Sequence, residues 1–250
     1  MARILSKVDS EVKKIFQNAA NIFFFIGAGV SVESGVPSFR GLGQMDYFED
    51  YFPMYLCSQE AFQRHTQLCW RFFKHIHDIS TKAEPNIAHK TITKLQQEAK
   101  NLAKNITVLT LSYDGLLNKA GVEDVLELHG NINYAICLKC NKKRDLAEIN
   151  LADNPIPICS CTGLLKPNVI LLDESVEESI YDQATIAARN SDLYFVIGSS
   201  GVHQHSKYFL MNTPEKCITI EINPMPSYLS RHCDYVLRAK AEEILPQLKS

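Results

Sequence analysis

The apolar run Ile22-Phe23-Phe24-Phe25-Ile26 passes directly into Gly27-Ala28-Gly29. A short apolar run bounded by glycine reads as a buried strand. A strand that feeds a Gly-x-Gly turn is where an α/β sheet receives a phosphate. Glycine admits close backbone approach, and the N–H groups of the next turn favour an anion. The generic dinucleotide fingerprint is incomplete, because Val32 stands at its third glycine position. Similar runs recur at Ile106–Thr110, Leu193–Ile197 and Cys217–Ile222, with helix-length segments between them. That alternation predicts an α/β fold: a Rossmann-like, doubly wound parallel sheet. Helices are expected over residues 6–20, from a capped start at Ser58, and from Pro85-Asn86 onward.

A length of 250 residues suits one domain (1–250) carrying a small module. The formal charge of -2 gives no electrostatic basis for binding nucleic acid or a membrane surface. No apolar run approaches the roughly 20 residues needed to span a bilayer. The N-terminus lacks a secretory apolar core, which points to a cytoplasmic protein.

The segment 136–164 breaks the pattern, with little apolar periodicity and four paired cysteines. Cys137 and Cys140 are followed by an 18-residue spacer, then Cys159 and Cys161. Two thiolate pairs brought together can hold zinc tetrahedrally. Four sulfurs leave no open position, so such a zinc is structural, and it replaces the core that so small a module cannot build. The second pair has one intervening residue instead of the common two.

The order of the remaining motifs is more specific. The glycine motif continues through Ser31, Gly35, Pro37, Phe39, Arg40 and Gly41. Then come Pro85-Asn86-Ile87-Ala88-His89, Ser112 and Asp114, and Glu127-Leu128-His129-Gly130. The cysteine pairs follow, then Lys166-Pro167-Asn168-Val169, Gly198-Ser199-Ser200 and Ile222-Asn223. This succession resembles the sirtuins, a family of NAD-consuming protein deacylases, over nearly the whole chain. The resemblance implies transfer of a lysine acyl group to ADP-ribose, with release of nicotinamide. It implies His129 as the base that takes a proton from the ribose hydroxyls, a task suited to imidazole. Gly27, Ala28, Gly29, Ser31, Phe39, Arg40, Ser112, Asp114, Gly198, Ser199, Ser200, Asn223 and Ala241 match the family's NAD positions. Asn168 and Val169 match the strand that pairs with the acylated substrate. Phe73 and Ile76 match the helix that meets the acyl group; members that remove acidic acyl groups carry tyrosine and arginine there. Uncharged acyl groups are therefore expected. The partner implied is an acylated lysine of a protein.

The departures gather in the cleft. Leu111 and Ser112 stand where the family has glutamine and asparagine, and Ser38 where many members have aspartate. Leu172 and Asp173 replace a phenylalanine and a glycine, and His203-Gln204-His205 replaces an apolar and proline pattern. A deacylase is the leading expectation. The same departures motivate two others: an NAD glycohydrolase or mono-ADP-ribosyltransferase, and an NAD-binding module with weak catalysis.

Overall fold

The computed structural model describes residues 2–39 and 44–249. Its strands are β1 Arg3–Leu5, β2 Asn21–Ile26, β3 Asn105–Thr110, β4 Leu126–Glu127, β5 Gly130–Cys137, β6 Lys143–Asp145, β7 Leu165–Val169, β8 Leu193–Ile197, β9 Ile218–Ile222 and β10 Tyr235–Leu237. Its α-helices are α1 Ser10–Asn18, α2 Pro53–Leu56, α3 Gln59–Arg64, α4 Thr66–Lys82, α5 Ile87–Asn101, α6 Leu116–Lys119, α7 Glu178–Arg189, α8 Gln204–Met211 and α9 Ala241–Ile244.

Seven strands form one parallel sheet in the order β1-β10-β9-β8-β2-β3-β4. The chain builds outward from β2 through β3 to β4, then returns to lay β8, β9 and β10 on the other side. The order reverses between β2 and β8, and ligands bind at the carboxyl ends of strands at such a switch point.

Both faces of this sheet are covered, which is why its central strands read as unbroken apolar runs. Ile22, Phe24 and Ile26 join one core with Val12 of α1 and Ile92 and Leu95 of α5. Phe23 and Phe25 join another with Ala184 and Ala188 of α7 and Phe209 of α8. Phe23 stacks on Tyr194 of β8 with centroids 4.9 Å apart.

A three-stranded antiparallel layer, in the order β6-β5-β7, stands apart from the main sheet. Its core joins Ile132, Ala135 and Leu165 to Trp70, Phe72 and Phe73 of α4. This layer begins before residue 136 and ends after residue 164, because the outer halves of β5 and β7 belong to it.

The N-terminus differs from the sequence expectation. Residues 6–20 were expected to be helical, yet α1 covers Ser10–Asn18, and Asp9 caps it by accepting from the Val12 N–H at 2.9 Å. Arg3–Leu5 instead pairs with Tyr235–Leu237, at the far end of the chain. Among the described residues no helix is long and apolar enough to cross a membrane.

Candidate active-site cleft

The glycines of the first motif join two strand ends. The Gly27 N–H donates to the Ile197 carbonyl at 2.8 Å, and the Gly29 N–H to the Gly198 carbonyl at 3.0 Å. A Cβ at Gly27 would meet the Gly198 oxygen at 2.4 Å, and one at Gly29 would meet it at 2.6 Å. These two glycines therefore let β2 and β8 close on one another at the switch point. A 3-10 helix, Ala28–Ser34, follows at once. Asn86 ties it to α5: its side chain donates to the Val30 carbonyl at 2.8 Å and accepts from the Ala88 N–H at 2.9 Å.

A cleft of about 1060 Å³ opens above this junction. Gly27, Ala28, Gly29 and Phe39 border it on the first side. Gly198, Ser199, Ser200, Asn223 and Ala241 border it from the β8 and β9 side. Ser112, Asp114 and His129 also line it, as do the apolar Phe73, Ile76 and Val169. Ser31 is not on this wall: it is buried, with its hydroxyl 3.3 Å from Nε2 of His89. Asn168 also lies off the wall, half-buried in β7. Arg40 lies outside the described residues.

His129 sits where the two sheets meet. Its Nδ1 lies 3.0 Å from the Leu111 carbonyl oxygen. A carbonyl only accepts, so Nδ1 carries the hydrogen and Nε2 keeps a lone pair. Burial pushes the imidazole pKa down to about 3, and a positive charge on His203 or His205 would lower it further. His129 is therefore neutral at working pH, with a free acceptor nitrogen. Its own carbonyl accepts from the Ile170 N–H at 2.9 Å, which fixes it to the antiparallel layer as well.

Asp114 serves the loop that carries it. It is 5 % exposed, accepts from the Ser112 hydroxyl at 2.6 Å and from the Leu116 N–H at 2.8 Å, and caps the turn before α6. The Asn223 side chain donates to the Ser199 carbonyl at 2.9 Å and joins the two loops that follow β8 and β9. Sequence reasoning missed the role of Leu111, which acts through its backbone carbonyl and leaves no signature in residue type. His203 and His205, two of the departures from the family pattern, both border the cleft. The rings of His129 and His203 lie 4.9 Å apart.

The four paired cysteines converge. Their ligand atoms all lie within 4.8 Å of one another, and all four are free thiols. Cys137 and Cys161 sulfurs are 3.4 Å apart, and those of Cys140 and Cys159 are 3.8 Å apart. Zinc with bonds of ~2.3 Å would hold tetrahedral sulfurs about 3.8 Å apart, so the donor set fits. The tight Cys159-Cys161 spacing works because Thr162 is left-handed, with φ 68°, and the Cys159 N–H donates to the Gly163 carbonyl at 2.8 Å. Gly163 is required there, since a Cβ would meet the Cys137 sulfur at 2.6 Å. The Cys161 backbone N–H draws the Cys159 thiol down to about 6, toward the thiolate that a metal needs.

Comparison with known proteins bears on the same geometry. Residues 27–204 match the profile of the Sir2 family. A protein of Pyrococcus furiosus named NAD-dependent protein deacylase is 35 % identical over 244 residues, covering 95 % of each chain. A protein of Pyrobaculum aerophilum named NAD-dependent protein deacylase 2 is also 35 % identical, over 95 % of this chain and 93 % of its own. The crystal structure of a Sir2 homologue in complex with NAD superposes with a TM-score of 0.87 at 29 % identity, covering 99 % of this chain and 94 % of that one. Profile, relatives and backbone agree along almost the whole length, so the chain belongs to the Sir2 family.

Proposed function

We propose that the protein is an NAD-dependent protein-lysine deacylase, transferring the acyl group to ADP-ribose and releasing nicotinamide. One observation carries the reading most: a neutral histidine, fixed from both sheets, whose free nitrogen faces a cleft at the switch point. NAD, when bound, supplies the activated bond between ribose and nicotinamide. Gly27, Ala28, Gly29 and the N–H groups opening the 3-10 helix hold its phosphates. Gly198, Ser199, Ser200, Asn223 and Ala241 take the adenosine side, while Phe39 and Ser112 flank the nicotinamide ribose. His129 accepts the ribose hydroxyl proton at Nε2, a contribution worth ~10²–10⁴-fold.

The substrate side follows from topology. β7 is an edge strand of the antiparallel layer, and Asn168 and Val169 stand at its end. An extended peptide can add to such an edge through its backbone. Phe73 and Ile76 are 0 % and 3 % exposed, and they offer the acyl chain an apolar wall with no partner for a carboxylate. An isolated charge buried there would go unpaired. Cys137, Cys140, Cys159 and Cys161 hold a structural zinc that orders the layer carrying β7.

Nicotinamide release from NAD, with and without acetyl-, fatty-acyl- and succinyl-lysine peptides, tests the reading. Release is expected only with an acyl peptide, slowest with succinyl-lysine, and reduced at least ~10²-fold in His129→Ala. Release without peptide would make the protein an NAD glycohydrolase or mono-ADP-ribosyltransferase. NAD binding without any release would leave a weakly catalytic NAD-binding module.

A further inference from the structure

The reaction leaves a proton on His129, in a place badly suited to keep it. Burial disfavours its imidazolium, and any charge on His203 or His205 disfavours it further. Nδ1 already donates to the Leu111 carbonyl, so the added proton sits on Nε2, inside the cleft. For the next turnover it has to leave.

His203 is placed to receive it. The two rings are 4.9 Å apart and inclined by 56°, close enough for their nitrogens to meet directly or through one water. His203 occupies the residue before α8. Its neighbours Val202 and Gln204 are exposed, while His203 is half-buried and lines the cleft. Other titratable groups lining the cleft include Cys57, Tyr113, Asp114, Asp173, Glu174, Glu178, Tyr181 and His205. Asp114 is engaged by Ser112 and the Leu116 N–H, and Glu174 by Lys166 and the Leu171 N–H. The Tyr181 hydroxyl is pushed up to about 12 by burial and Tyr208, and its ring packs against His205.

We propose that His203 is a positioning residue that relays protons: it takes from His129 the proton that His129 has removed from the ribose hydroxyl. The proposal rests on the deacylase reading. The hydroxyl O–H bond breaks as an N–H bond forms at Nε2 of His129. That bond breaks in turn as one forms on a ring nitrogen of His203, which then releases a proton to water. One proton reaches solvent, and nothing is oxidised or reduced.

The test is the pH profile of kcat on an acyl-lysine peptide for wild type, His203→Gln and His203→Val, with His203→Ala assayed in added imidazole. The relay predicts a kcat lowered about tenfold or more in the Gln and Val proteins, with a changed pH profile. It also predicts several-fold recovery of His203→Ala by imidazole. A wild-type kcat and pH profile in both substitutions would overturn it, as would a loss that imidazole does not restore. Exchange of labelled nicotinamide into NAD by the wild-type protein, measured with the same peptide, separates the two claims. No exchange overturns the deacylase reading and the relay together. Exchange with unaffected His203 variants overturns the relay alone.

Discussion

Leu111 has an apolar side chain at a position where sirtuins carry glutamine, yet its carbonyl holds His129 by the backbone. Ser112 turns its hydroxyl inward to Asp114. The wall proposed to flank the ribose is thus short of side-chain donors, and one lost transition-state hydrogen bond commonly costs ~10²-fold. Leu111→Gln is expected to raise kcat/KM on an acetyl-lysine peptide by roughly tenfold, in steady-state assays against wild type. Asp173 tells a related story. It stands where the family has glycine, and its φ of 71° lies in the left-handed region that glycine favours. The departure was legible in sequence; the left-handed backbone was not, because aspartate enters that region more readily than most side chains. Histidine charge sets the acid behaviour. Burial lowers the pKa of His77, His89 and His129, the last to about 3. Their unfolded value is near 6.5, so below that pH the unfolded chain binds more protons than the folded one. The stability they contribute is therefore complete above about pH 6.5 and declines as pH falls toward 3. Urea midpoints should be lower at pH 5.0 than at pH 7.5, with a smaller difference in His129→Gln.

Among the elements, β9 carries a buried charge through the main sheet. Glu221 is 0 % exposed and accepts from Arg238 at 3.0 Å, with Ser227 and Ser230 on the same carboxylate. Arg238 also donates to the Met225 carbonyl at 2.9 Å, so the pair anchors the loop after β9 that borders the cleft. Removing one partner of a buried pair costs about 3–5 kcal/mol. Arg238→Met should lower Tm by on the order of 10 °C, since 1 kcal/mol shifts a domain of this size by about 2–4 °C. Calorimetry measures that shift, and a weaker NAD-induced stabilisation should accompany it. The central strands β2, β3, β8 and β9 could be read from sequence because both faces of each are buried, which writes a continuous apolar run. The edge strand β1 could not. It is three residues long and mostly exposed, and its pairing with β10 is set by a partner more than 200 residues away. The first glycines were legible as a strand-to-turn signal; that they make room for the Gly198 backbone is visible only in three dimensions.

At the scale of the molecule, a parallel sheet and a layer carrying four clustered cysteines meet along one cleft, and residues of both line it. The motif order made that division legible, whereas the reach of the antiparallel layer beyond residues 136 and 164 depended on pairings the intervening sequence hides. Zinc analysis should find one ion per chain. Chelation or Cys159→Ser should disorder the small layer and abolish acyl-peptide turnover, as monitored by hydrogen exchange along β5 and β7. Gly130, next to His129, turns the chain from one sheet into the other with φ 79°, and a Cβ there would strike the Asn168 carbonyl oxygen at 2.2 Å. His129, the proposed base, is thus mounted on the joint between the two halves, with its ring pinned to one and its carbonyl to the other. Its aim is a function of their spacing. A bulkier residue at the joint, a looser metal or a reshaped hairpin far from the cleft would detune the chemistry while every cleft residue stayed in place.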